Sequence, residues 1–394
     1  MKRMKTLMTS PDKQLKFLRE YFISRQPDLL AFTRALVETE SPSGDEAGSR
    51  DVVSLVVAQA KTIAAVNSVE RIAFPGFGEH VRITAFADIN QERPIVLLGH
   101  TDTVHPRGSI MKSPWRTDGN RIYGPGIFDM KSNCALALEL LRAFEATGTR
   151  PSRPITVLLM CDEESGSVHG RAVVEAEARN AHAALVLEPS ASGGRVKTGR
   201  KGTGMFTVEV HGRAAHAGLD PEKGVNAVLE LARQTVRLHE LNDPANGTNV
   251  TVTILNGGTA SNVVPALATA EVDMRFTSVD LGVAVESDVL NLKPFDPRAQ
   301  VLVTGGINRP PLERTPKVGE LFELARGLAA RLDFELGETS VGGGSDGNFV
   351  GALGVPVLDG LGIEGDGAHA AHEHIMTDNI ATRAAMLAGL IASL

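Results

Sequence analysis

Cysteine is nearly absent from this chain: 394 residues contain only two, Cys134 and Cys161. Both sit in otherwise apolar segments, which reads as buried free thiols rather than a disulfide framework. Long hydrophobic runs are missing too, and no stretch approaches the roughly 18 apolar residues of a membrane helix. The opening Met-Lys-Arg-Met-Lys-Thr-Leu-Met is basic, but no apolar run follows, so it lacks the core of a signal peptide. These absences predict a cytoplasmic, reducing location and no membrane partner. Positive charge is short as well: 40 Lys and Arg stand against 47 Asp and Glu, a net charge of −7. That argues against nucleic acid or an anionic membrane as partner. Repeats, low-complexity tracts and long linkers are also lacking.

What is present is globular. Hydrophobic residues make up 42% and charged residues 22%, near the averages for a folded chain. The length exceeds one ordinary core, so two domains are expected. Three short apolar runs stand out: Pro94-Ile-Val-Leu-Leu-Gly-His100-Thr-Asp102, Ile155-Thr-Val-Leu-Leu-Met-Cys-Asp-Glu163-Glu164 and Ala184-Leu-Val-Leu-Glu188-Pro. Runs this short and apolar read as buried parallel strands. Open α/β sheets place their ligands beyond the carboxyl ends of such strands, where these runs carry one His and several carboxylates.

Periodicity predicts helices over 11–40, broken at Pro27, and over 45–66, with a loop at 41–44 between them. Strands follow near 81–87 and 94–99, then a helix over 132–146, a strand at 155–160, a helix over 168–179 and a strand at 184–187. This alternation predicts a doubly wound α/β domain. The pattern then changes to strand 203–210, helix 224–241, strands 248–255 and 266–276, helix 279–290 and a short strand 300–304. The order β-α-β-β-α-β is the ferredoxin-like arrangement. Helix 317–331, a Gly-rich turn at 342–347, strand 355–358 and helix 379–393 resume the first pattern. The expected division is therefore 1–200 and 311–394 for one α/β domain, with 201–310 inserted as a ferredoxin-like α+β module.

At the strand ends, His100 and Asp102 are two residues apart and point the same way if extended, so Asp102 can orient the imidazole. Asp129, in a Gly/Pro turn before the helix from Ser132, reads either as an N-cap or as a ligand shared between two metals. Asp162, Glu163 and Glu164 crowd three acids after a buried strand, costly unless cations neutralise them. One Glu as ligand and its neighbour as general base is one division of labour; a solvated acidic loop is the other. Glu188 adds a carboxylate at the same edge. His369, His372 and His374 offer one further ligand, and spacing alone does not choose among them.

Five such motifs, in this order and spanning the chain from about residue 30, resemble one family. It is the di-zinc metallopeptidase family of aminoacylases, carboxypeptidase G, succinyl-diaminopimelate desuccinylase and bacterial di- and tripeptidases. The resemblance implies a zinc-binding α/β domain and a ferredoxin-like lid that mediates homodimerisation. It implies His100 as a ligand of one metal, Asp129 as the bridging carboxylate and Glu163 as the general base. Glu164 and Glu188 are implied as ligands, one on each metal. His369 is implied as the last ligand, since the family pattern is a His followed four residues later by Glu, here Glu373. A cis Asp129–Met130 peptide is part of the same pattern.

In the lid, Gly212-Arg-Ala-Ala-His216-Ala-Gly resembles the motif whose His reaches the partner subunit's site to stabilise the oxyanion; a helix-capping turn is the plain alternative. Asn262, Arg275 and Ser345 of the Gly343-Gly-Ser-Asp turn resemble substrate contacts, and Arg309 and Arg195 are weaker candidates. His80, His182 and His239 match nothing and read as structural.

The implied reaction is amide hydrolysis with two zinc ions per subunit, replaceable by Co²⁺ or Mn²⁺. The segment 187–204, with Asn262, Arg275 and Arg309, looks most like the carboxypeptidase G branch, which releases a C-terminal amino acid, typically glutamate, from small peptides or N-acyl amino acids. A deacylase of the acetylornithine, desuccinylase or aminoacylase kind is the near alternative. A non-catalytic metal- or peptide-binding relative is a remote one.

Overall fold

The computed structural model describes residues 11–89 and 93–394; the basic opening of the chain lies outside the described residues. The chain divides into two compact units. One holds the chain up to Thr198, Arg314–Ser340 and Ser345–Leu394; the other holds Gly199–Glu313 and Val341–Gly344. Residues 341–344 group with the second unit because their carbonyls bind its chain: Lys201 N donates to Val341 O, and Arg200 Nη1 to the carbonyls of Gly343 and Gly344.

The first unit is built on a six-stranded mixed sheet. Its centre is parallel: Ile95–His100 lies between Ile155–Met160 and Ala183–Val186, and Val357–Leu358 extends it beyond the latter. Val66–Phe74 and Gly78–Ala85 add an antiparallel hairpin at the other edge. Every residue of Ile95–His100 and of Ile155–Met160 is buried, as strands covered on both faces must be. Ile95 and Leu97 join the large core formed by helices Pro11–Glu38, Ser132–Thr147 and Ile380–Ser393, whereas Val96 and Leu98, equally buried, point to the opposite face.

Three local expectations are corrected. Helix Pro11–Glu38 runs through Pro27 without ending. An interior proline costs about 3 kcal/mol, but Leu15, Leu18 and Phe22 before it and Leu29, Leu36 and Val37 after it are all buried in the same core. Burial of roughly 1.5–3 kcal/mol per large side chain outweighs that cost. The helix expected over 45–66 stops at Ala60, and Val66 already begins the edge strand of the hairpin. That strand is missed because its burial is shallow and irregular, as suits an edge.

The second unit is one antiparallel sheet in the order Asn249–Gly257, Leu267–Phe276, Gly202–His211, Gln300–Arg309, with helices Ala227–His239 and Val279–Leu290. This is the ferredoxin-like order. Phe206, Val208, Val210, Leu231, Val272 and Met274 form its core. The last strand extends to Arg309, past the expected end at 304. Gly305 and Gly306 hide the continuation: Gly305 has φ +113, and a Cβ there would lie 2.1 Å from Met205 O, so the strand needs glycine where strand propensity is lowest.

Candidate metal-dependent active site

The carboxyl ends of the three parallel strands meet at one edge, and the turn before Ser132 and the loop at 367–373 join them. His100 closes the first strand. A Cβ at Gly99 would lie 2.4 Å from Met130 Cε, so the residue before His100 has to be small. The His100 backbone is tied on both sides: its N–H donates to Met130 Sδ at 3.3 Å, and its carbonyl accepts from Cys134 Sγ at 3.0 Å. Cys134 is thus a buried thiol, its pKa pushed up to about 12 by burial; Cys161 is likewise free and buried.

The imidazole of His100 faces two ways. Nδ1 lies 3.0 Å from Asp102 O and 3.4 Å from Asp102 Oδ1. Nε2 lies 3.2 Å from Asp129 Oδ1 and 3.4 Å from Glu188 Oε1. The other oxygen of Asp129 faces a second ring: His369 Nε2 is 3.4 Å from Asp129 Oδ2 and 3.1 Å from Glu164 Oε2. Asp129 therefore stands between two imidazoles, with a second carboxylate beside each. The Asp129–Met130 peptide is cis.

The neighbouring acids have distinct surroundings. Asp162 turns inward, where Oδ2 accepts the His169 and Gly170 amides at the start of helix Gly170–Ala178. Glu163 offers a carboxylate oxygen to the group of His100 and Glu188, and Glu164 one to the group of His100 and Asp129, all within 4.8 Å. Asp102 does more than orient an imidazole. Its carboxylate accepts the amides of Glu163 at 3.3 Å and Glu164 at 3.2 Å, together with Ser43 Oγ at 2.6 Å. It holds the His100 ring and the acid pair in one frame.

Charge in the cluster follows from these contacts. Burial opposes protonation of His100, but hydrogen bonds to Asp102, Asp129 and Glu188 outweigh it and hold the pKa well above 6.5. His369 is raised to about 10, first by Asp129 and then by Glu164. Asp129 is buried, yet its two imidazole partners pull its carboxyl far below the usual range. Burial pushes Glu164 upward, and its Oε1 is buried with no hydrogen-bond partner. An acceptor buried without a donor is costly, and a cation in the cluster would satisfy it. Imidazole and carboxylate donors with no thiol suit zinc, and also manganese or cobalt.

Of the three histidines at the C-terminal end, only His369 reaches the acids. His374 packs against Tyr123 at 5.0 Å between ring centroids with Nδ1 on His372 O, and His372 is exposed. His80, expected to be structural, is buried with Nδ1 accepting the Cys161 amide at 3.0 Å.

The candidate substrate contacts fare differently. Ser345 is buried, and its hydroxyl is 2.6 Å from Asp359 Oδ2. Arg195 is exposed, with Nε on Ser192 O. Within the second unit, Arg275 already makes a two-pronged pair with Asp273, at 2.8 and 2.7 Å. Arg309 is buried, with Nη1 3.2 Å from Asn308 Oδ1. Asn262 is exposed, and its carbonyl accepts the Ala217 amide. His216 is exposed, and its Nδ1 accepts the amides of Gly218 and Leu219, both at 3.1 Å. A ring nitrogen that accepts carries no proton, so the His216 ring proton sits on Nε2.

Two participants escaped sequence reasoning: Ser43, in a stretch read only as a loop, and His105, whose Nε2 lies 2.6 Å from Glu373 Oε2. Neither carries a local pattern that marks it. Glu373 was visible only as the fourth residue after His369.

Comparison with known proteins places nearly the whole chain beside one family. The model of Peptidase family M20/M25/M40 matches residues 96–393. Carboxypeptidase G2 of Pseudomonas sp. is 31% identical over 378 residues, covering 94% of this chain and 90% of its own. A succinyl-diaminopimelate desuccinylase of Thioalkalivibrio sulfidiphilus is 27% identical over 400 residues, covering 93% and 99%. Among solved structures, aminopeptidase PepT of Bacillus cereus superposes with a TM-score of 0.74 at 21% identity, covering 93% of this chain and 98% of its own. The M20 family metallo-carboxypeptidase Sso-CP2 of Sulfolobus solfataricus gives 0.70 at 16% identity, covering 92% and 98%.

Proposed function

The chain belongs to peptidase family M20/M25/M40 and is a hydrolytic enzyme, and from that premise we propose that it is a two-metal hydrolase releasing a C-terminal amino acid, glutamate in the first place, from N-acyl or peptidyl substrates. The observation that carries the reading is Asp129, each of whose oxygens faces a different imidazole. His100, Glu188 and Asp129 would hold one ion; His369, Glu164 and Asp129 would hold the other.

Bound metal supplies an acidified water and polarises the scissile carbonyl. Glu163 takes the proton from the attacking water and returns it to the leaving amine. Asp102 keeps Glu163 in reach of that water by holding its amide. His216 donates from Nε2 to the developing oxyanion, a role its doubly accepting Nδ1 supports. We assign that His216 to the partner chain of a homodimer formed through the second unit. Leu229 and Val236 on helix Ala227–His239, and Ile254 and Leu255 on edge strand Asn249–Gly257, are exposed apolar residues that such an interface would cover.

The glutamate preference rests on the likeness to carboxypeptidase G2; the likeness to the desuccinylase favours N-succinyl diamino acids as a second reading. The zinc-loaded enzyme is offered N-acyl-glutamates, small peptides ending in glutamate and N-succinyl or N-acetyl diamino acids. Release of glutamate at the highest kcat/KM is expected. Turnover of the diamino acid derivatives alone would transfer the reading to the deacylases.

A further inference from the structure

Glu373 is a charged side chain 2% exposed, and none of the chemistry above uses it. Its two oxygens accept three amide hydrogens and face one imidazole nitrogen. Oε1 takes the amides of Phe128 at 2.8 Å and Asp129 at 2.9 Å. Oε2 takes the Gly126 amide at 2.8 Å and faces His105 Nε2 at 2.6 Å. The backbone adds another tie, Gly124 N to Glu373 O at 3.3 Å. Gly126 has φ +69, and a Cβ there would lie 2.5 Å from Thr103 Cγ2, so the turn exposes its amides to Glu373 in a conformation reserved for glycine. Hydrogen bonds to an ionised acceptor are about twice as strong as neutral ones, and here several converge on the turn that carries Asp129. The same loop carries His369 four residues earlier.

We infer that Glu373 is a positioning residue for the metal cluster: it clamps the Gly126–Asp129 turn to the His369 loop, so that Asp129 and His369 are set against each other before any metal binds. His105 completes the clamp by filling the fourth acceptor position of the carboxylate. The inference rests on the two-metal reading above. It differs from the roles of the ligands because Glu373 touches neither metal nor substrate; it acts through the backbone of Asp129. Residues that orient metal ligands in this way typically contribute a factor of about 10–100 in metal affinity.

The test compares wild type, Glu373→Ala, Glu373→Gln and His369→Ala. Each is stripped of metal, titrated with zinc against a chromophoric chelator, then loaded with cobalt(II) for its visible spectrum. Glu373→Ala is expected to bind zinc about 10–100-fold more weakly, with a shifted cobalt spectrum that a purely structural role would leave alone. Glu373→Gln keeps one acceptor oxygen but turns an NH₂ toward donors, so it is expected to fall between Ala and wild type; it decides the matter alone if Glu373→Ala does not fold. Wild-type zinc affinity and cobalt spectrum in the folded variants overturn the clamp. If His369→Ala loses zinc while the Glu373 variants do not, the metal reading stands and this inference alone falls. Wild-type protein that binds no zinc overturns both.

Discussion

Glu163 and Glu164 are adjacent in the chain and share one anchor, Asp102, yet they offer their oxygens to different groups. In the proposed mechanism the first is the base and the second a ligand, which gives the sharpest residue-level expectation. Glu163→Gln should retain its zinc and lose at least about 10²-fold in turnover; parallel metal analysis and initial rates check this, and an unimpaired rate would remove Glu163 from the chemistry. A second expectation concerns pH. In the metal-free protein His369 titrates near 10 instead of 6.5. A raised folded-state pKa adds stability that is fully present below 6.5 and is lost as pH rises through about 10. An imidazole that binds zinc does so in its neutral form, with no proton on the ligating nitrogen. The gap between zinc-loaded and metal-free melting temperatures should therefore widen between pH 6.5 and 9, and a gap that narrows would speak against His369 as a ligand. At this scale the sequence was informative where a proposed ligand or base sits at a marked position. His100, Asp129, Glu163, Glu164, Glu188 and His369 each stand at a strand end or a marked turn. It was silent on Ser43 and His105, because a hydrogen bond to a remote carboxylate leaves no local periodicity. Ser345 and Arg275 carry suitable chemistry for a substrate carboxylate, and each bonds a nearby aspartate, Asp359 and Asp273.

The elements that position the site were the most legible, since a fully buried parallel strand is an apolar run of fixed length ending abruptly in polar residues. Elements whose identity depends on distant packing were not. Pro27 argues for a break that the shared core of Leu15, Phe22, Leu29 and Leu36 overrides. The core tolerates Pro27 without requiring it, so Pro27→Ala should stabilise the chain by roughly 1–3 kcal/mol, the helix-propensity difference less what local relaxation already recovers. Urea unfolding reads this directly, and a loss of stability would show that the proline shapes the helix. The edge strand Val66–Phe74 has too little buried area to imprint a pattern, and the pair Gly305-Gly306 hides the second half of its strand. In the second unit, a charge on the exposed face of helix Ala227–His239 tests the proposed dimer. Val236→Asp should yield monomers that keep zinc but lose most activity; fully active monomers would refute His216 acting across subunits.

For the molecule as a whole, the proposed metal chemistry draws on one unit, and the proposed lid residues belong to the other. All six residues of the proposed cluster and its base lie in the first unit, drawn from segments up to 269 positions apart, from His100 to His369. No helix among the described residues is long and apolar enough to cross a membrane. Family membership fixes hydrolysis; the number of metals and the substrate rest on Asp129 and on the likeness to carboxypeptidase G2. Hydrolysis of an N-acyl-glutamate by metal-free protein, followed as zinc is added in measured equivalents, probes both together. Activity should be absent without metal, rise with added zinc and level off at two ions per chain. A plateau at one equivalent, or glutamate release that does not depend on metal, would contradict a carboxylate shared between two ions.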